Sequence, residues 1–176
     1  MANLTDAKII ARGKFLELCS RQGWEFVHRP NVTGIVAIVA ITDDRKLVLV
    51  EQYRKPVAQN VIEIPAGLAG DLEDAENESF ETAAQRELAE ETGYTALKME
   101  FLTKGPPSAG ASTEVITFFR ARGLKREGKG GGDENEHITV HLAPLDGIEA
   151  WLKAREKHGC LVDPKVYTAL YFAAKP

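Results

Sequence analysis

The sequence has little cysteine. Cys19 and Cys160 are the two in 176 residues, and no C-x-x-C spacing joins them, so neither a zinc knuckle nor a disulfide framework is indicated. Buried or inert thiols are the expectation. Long apolar runs are also missing: no stretch approaches the roughly 20 residues that span a bilayer. The opening M-A-N-L-T-D-A-K has no apolar signal core, which leads to the expectation of a cytoplasmic protein with no membrane association. Nor is there an excess of positive charge. With 22 Lys and Arg against 26 Asp and Glu, the formal net charge is −4, which argues against a nonspecific nucleic-acid binder. An anionic substrate stays open, because a bound metal can invert the local field. Gly128-Lys129-Gly130 lacks the Ser/Thr of a Walker loop, and there is no internal repeat. The length suits one domain with a proper core.

What is present centres on Glu78 to Tyr94, E-S-F-E-T-A-A-Q-R-E-L-A-E-E-T-G-Y. Asn77 or Ser79 can cap a helix there, and Gly93 suits its left-handed end. At about 100° per residue, Phe80, Ala83, Ala84 and Leu88 form an apolar face of roughly 140°. Glu87 and Glu91 fall inside that face and Glu90 at its edge, while Thr82, Gln85 and Ala89 point outward. Burying unpaired carboxylates is costly, and like charges three and four residues apart repel. Arg86 can neutralise one glutamate, and a hard divalent ion could neutralise the others.

Glu78, Arg86-Glu87-Leu88, Glu90-Glu91 and Gly93-Tyr94 together closely resemble the signature of the Nudix hydrolases. That family hydrolyses a nucleoside diphosphate linked to another group, with Mg²⁺ or Mn²⁺ held by the signature helix. One departure stands out. The family's usual glycine has Leu72 in its place here, and Gly67 looks like the displaced equivalent, with residues 68–77 forming a lengthened loop.

The rest of the chain reads in order. Strand-like runs at Ile9 to Leu18 and Trp24 to Val27, parted by Ser20-Arg21-Gln22-Gly23, suggest an N-terminal β-hairpin over residues 1–30. This resembles the sheet that the ADP-ribose pyrophosphatase group uses for dimerisation, so a homodimer is implied. The hydrolase domain would follow over 31–176. Val32 to Ile41 suits a strand buried on both faces, and Lys46 to Glu51 a second strand. Gln52-Tyr53-Arg54 resembles an element of that group whose arginine faces the substrate, and a forked guanidinium suits a diphosphate. Glu63-Ile64-Pro65-Ala66-Gly67 matches another of its elements. Pro65 halts strand pairing and Gly67 permits close backbone approach. The resemblance assigns the Ala66 carbonyl to the metal and Glu63 to the substrate's nucleoside end. Further strands are expected at Leu97 to Leu102 and Thr113 to Arg120, and Gly110-Ala111-Ser112-Thr113-Glu114 fits a run that makes Glu114 a substrate-site candidate.

Gly128 to Gly132 reads as the most flexible segment, able to move an acidic tip over substrate. In Asp133-Glu134-Asn135-Glu136, the resemblance makes Glu134 the base that activates water and Glu136 an auxiliary metal contact. His137 and His141 sit four apart, but Ile138-Thr139-Val140 favours a strand, which would separate them by about 13 Å and disfavour zinc. Helices are expected from about Gly147 to Glu156 and from Asp163-Pro164 through Ala174.

The implied fold is α+β, an α/β/α sandwich with a mixed sheet. The implied reaction is Mg²⁺-dependent hydrolysis of the pyrophosphate bond of a small nucleoside diphosphate sugar, ADP-ribose first. Glu87, Glu90, Glu91 and Ala66 would hold metal, with Glu90 and Arg86 also in the catalytic set. Arg54, Glu63 and Glu114 would bind substrate, and Glu134 and Glu136 would serve catalysis. Hydrolysis of a GDP-sugar or dinucleoside polyphosphate, or nucleotide sensing without turnover, are the alternatives.

Overall fold

The computed structural model of the chain describes residues 4–70, 78–132 and 137–175. The strand expected over Val32 to Ile41 is β4 (Gly34–Ala40). Its β-branched residues alternate faces, as a period of two requires. Val36, Ile38 and Ala40 enter one apolar cluster, and Ala37 and Val39 enter the other. Burial on both faces follows.

Around β4 the described strands form two mixed four-stranded sheets. One runs β7 (Ala66–Ala69), β4, β9 (Ile116–Arg126), β8 (Tyr94–Gly105). The other runs β10 (Ile138–Pro144), β5 (Lys46–Arg54), β6 (Gln59–Glu63), β11 (Leu161–Val162). Pairing is parallel between β4 and β9 and between β6 and β11, and antiparallel elsewhere. The mixed sheet expected from the sequence is therefore two sheets. Helix α1 (Phe80–Thr92) supplies Ala83, Ala84 and Leu88 to one cluster. Helices α2 (Ile148–Lys157) and α3 (Pro164–Ala173) supply Ile148, Leu152, Val166 and Ala169 to the other. The arrangement is α/β/α.

The N-terminal residues form a three-stranded meander, not a hairpin. β1 (Lys8–Arg12), β2 (Glu17–Arg21) and β3 (Trp24–His28) pair antiparallel in sequence order. The run read as one strand from Ile9 to Leu18 breaks at Gly13, whose N–H donates to the Leu16 carbonyl at 2.8 Å and closes a turn. This sheet is strapped to the body. The Val27 N–H donates to the Ala111 carbonyl, the Thr113 N–H to the Val27 carbonyl, and the Trp24 indole to the Gly110 carbonyl at 2.8 Å. No helix among the described residues is long and apolar enough to cross a membrane.

Candidate active site

Helix α1 is capped as its sequence requires. Ser79 Oγ accepts the Thr82 N–H at 3.1 Å, and Gly93 takes φ 73° at the other end. The cap sets the helix's start, and the 3.6-residue period then sets where each glutamate points. Glu91 is buried, only 4% exposed, and its Oε2 accepts the Ala66 N–H at 3.1 Å. The Glu87 side chain is 12% exposed and Glu90's is 51%, so the expectation of two inward acids and one at the rim holds. Gln85, expected outward, instead bonds Ala96 with both ends of its amide.

Arg86 organises these acids. Its guanidinium reaches Glu87 at 2.8 Å, Glu90 at 3.1 Å, Glu78 at 3.3 Å and the Leu68 carbonyl at 2.9 Å. Burial alone would pull its pKa down, but the carboxylates of Glu78 and Glu87 outweigh that and push it up. The guanidinium therefore stays charged across the working range of pH.

Pro65 and Gly67 behave as their chemistry requires. β6 ends at Glu63, and the chain resumes pairing at Ala66 against Ala37 of β4. Gly67 is forced by contact: a Cβ there would lie 1.9 Å from the Glu87 carboxyl carbon. The backbone at Ala66 and Gly67 thus packs directly on Glu87 and Glu91, with no room for a side chain between.

These groups line a cleft of about 590 Å³. Arg54 also lines the cleft; its Nε lies 2.6 Å from Glu63 Oε2, and Glu63 itself is buried. Glu114 also lines the cleft and pairs with Arg29 at 3.3 Å. The structure thus gathers Arg54, Glu63, Ala66, Arg86, Glu87, Glu90, Glu91 and Glu114 around one space. Glu134 and Glu136 lie outside the described residues, as do residues 71–77 of the lengthened loop; Leu68 and Ala69, expected at its start, instead pair with β4 as the end of β7. His141 is elsewhere, on β10, with Nε2 at 2.9 Å from Glu51.

Two cleft cations were not singled out from the sequence. Arg29 follows β3, and Lys165 stands at the start of α3 with Nζ 3.6 Å from Glu63 Oε1. Neither carries a periodic or motif signal. Their positions come from how the N-terminal sheet and α3 dock.

The expected flexibility of Gly128 to Gly132 is not what the structure shows. The N–H groups of Gly131 and Gly132 donate to the Glu91 and Glu90 carbonyls at 2.9 and 3.1 Å, and Gly128 donates to the Gly93 carbonyl. The glycines permit close packing on the end of α1, and the hydrogen bonds hold it.

Among the described residues, no three His, Cys, Asp or Glu side chains form a closed ligand cluster. Arg86 holds Glu87 and Glu90, while the Ala66 amide holds Glu91. The donor set nevertheless fits a hard dication. It is all oxygen, the acids are concentrated on one helix face, and the Gly67 backbone packs directly against the Glu87 carboxylate.

Carboxylates and guanidinium groups gathered around one cleft give it the chemistry of a metal-dependent hydrolase of phosphate compounds. The NUDIX domain model matches residues 32–162, and the chain belongs to that family, whose hydrolases use divalent metals. A methanol dehydrogenase activator of Bacillus methanolicus is 40% identical over 149 residues, spanning 84% of this chain and 74% of its own. An ADP-ribose pyrophosphatase of Bacillus subtilis is 38% identical over 133 residues, spanning 75% and 68%. A crystal structure of an ADP compounds hydrolase superposes with a TM-score of 0.65 at 25% identity, covering 85% of this chain and 81% of that one.

Proposed function

We propose that the protein hydrolyses the pyrophosphate bond of nucleoside diphosphate sugars, ADP-ribose first, to a nucleoside monophosphate and a sugar phosphate, with Mg²⁺ as cofactor. One observation carries the reading: a single cleft joins the acids of α1 to Arg54 and Glu63. The similarity to the Bacillus subtilis ADP-ribose pyrophosphatase supports the substrate class.

Glu87, Glu90, Glu91 and the Ala66 carbonyl would hold the cation. When bound, it polarises a phosphoryl oxygen and stabilises the charge that develops there. Arg86 keeps Glu87 and Glu90 oriented through the contacts already described. Arg54, itself oriented by Glu63, presents forked donors to the diphosphate. Glu114, held by Arg29, faces the same space and contacts the remainder of the substrate. Glu134 takes the proton of the attacking water. Glu136 supports the metal site.

The proposal includes a cytoplasmic homodimer joined through residues 1–30. Exposed Ile10, Phe15 and Trp24 on the N-terminal sheet support that contact.

The test is a panel of ADP-ribose, a GDP-sugar and a dinucleoside polyphosphate in Mg²⁺, Mn²⁺ and chelator, with the products treated with alkaline phosphatase, which cleaves exposed terminal phosphates but not the intact substrates, before phosphate detection. Metal-dependent turnover with ADP-ribose preferred supports the proposal. Tight ADP-ribose binding without product in Mg²⁺ would make the protein a sensor.

A further inference from the structure

Helix α1 carries two acidic residues, Glu90 and Glu91, in its last turn before Thr92, and no basic residue there. This is an unfavourable place for acids. The carbonyl end of a helix carries partial negative charge and its final carbonyls lack partners within the helix. The helix's own cap covers one of them, Gly93 N–H bonding the Ala89 carbonyl, and a backbone segment from elsewhere covers the next two: Gly132 N–H bonds the Glu90 carbonyl at 3.1 Å and Gly131 N–H the Glu91 carbonyl at 2.9 Å. The Gly93 carbonyl then accepts from Glu127 and Gly128, at 2.9 and 3.0 Å.

The approach is so close that it requires glycine. At Gly130, with φ +69°, a Cβ would lie 2.4 Å from the Thr92 carbonyl carbon and 2.6 Å from the Glu91 oxygen. At Gly93 it would lie 2.3 Å from the Gly128 oxygen. Both obstacles are backbone, which cannot swing aside.

We propose that residues 127–132 form a backbone clamp that positions the carboxylates of Glu90 and Glu91 for the divalent cation. Gly130, Gly131 and Gly132 are then positioning residues for metal binding. This rests on the reading of α1 as the cation-binding element. A helix's last turn frays readily, and ligands held loosely bind metal weakly. Amide donors on the Glu90 and Glu91 carbonyls hold that turn closed, and they offset the negative helix end beside two acids.

Gly130→Ala should loosen the clamp. Mn²⁺ binding to the substrate-free protein, read by loss of the free-ion EPR signal, should weaken by about ten- to hundredfold, the usual effect of losing a partner that orients a metal ligand. Saturating Mn²⁺ should restore most of the turnover. Gly147→Ala is the control. It places a side chain at φ +84° in the turn before α2 with nothing within 4 Å of the added carbon, so it carries similar backbone strain and should bind Mn²⁺ as the wild type does. A second measurement needs no variant. Because linkage is reciprocal, Mg²⁺ should slow hydrogen exchange at the Gly131 and Gly132 amides of the wild type.

Wild-type Mn²⁺ affinity in a folded Gly130→Ala protein overturns the clamp, as does exchange at those two amides that is indifferent to Mg²⁺. If Gly130→Ala does not fold, the exchange measurement decides. A wild-type protein that binds no Mn²⁺ overturns the clamp together with the reading of α1 beneath it.

Discussion

Glu91 is the residue on which burial and chemistry coincide most closely. It is nearly inaccessible and accepts a backbone N–H from Ala66. Glu91→Gln keeps the shape and can keep that hydrogen bond while removing the charge. Losing several kcal/mol of transition-state stabilisation should lower kcat by about a hundredfold or more with the fold intact. Near wild-type turnover would remove Glu91 from the mechanism. The glutamates were legible in the sequence because a helical repeat dictates direction. Arg29 and Lys165 were not, because their places in the cleft depend on which distant elements pack together.

A second residue-scale prediction lies away from the cleft. Burial tends to raise the Glu51 carboxyl pKa, but hydrogen bonds from His141, Asn60 and Cys160 bring it below its usual value. A carboxyl lowered by folding contributes stability above its unfolded pKa, about 4.3, and loses that contribution as pH falls through its folded value. Wild type should therefore exceed Glu51→Gln in Tm near neutrality, and the gap should close in acid. Thermal melts across that range check it, and a gap independent of pH would contradict it.

Among the elements, α1 follows its sequence most directly. Its cap, its left-handed end and its buried stripe were all readable, since each depends on residues within one or two turns. Ser79→Ala should lower stability by about 1 kcal/mol in urea unfolding, the usual cost of losing an N-cap. Unchanged stability would show that the cap is redundant. The strands were readable as runs, but not always in number or register. The break at Gly13 divides an apparently continuous run, and β11, only two residues long, exists because it pairs with β6 at Val61 and Ile62. The glycine segment was misjudged for a physical reason. Glycine content signals conformational freedom in an isolated chain, but here the absent side chains admit the neighbouring helix. Gly132 N–H bonds the Glu90 carbonyl, and Ile138 N–H bonds the Gly131 carbonyl at 3.2 Å.

For the molecule as a whole, the α/β/α architecture was legible because the alternation of apolar runs and the closing helices leave few packings that bury both faces of β4. The N-terminal sheet bears on assembly. Phe15→Asp should shift sedimentation from dimer to monomer if exposed apolar residues there join two copies, whereas a wild-type monomer would remove the dimer from the proposal. The central claim is that the acids of α1 face inward to receive a dication. Anomalous diffraction from crystals soaked in Mn²⁺ tests it most directly. The account predicts density among Glu87, Glu90, Glu91 and the Ala66 carbonyl. Those side chains turned into solvent, with no ion beside them, would contradict it.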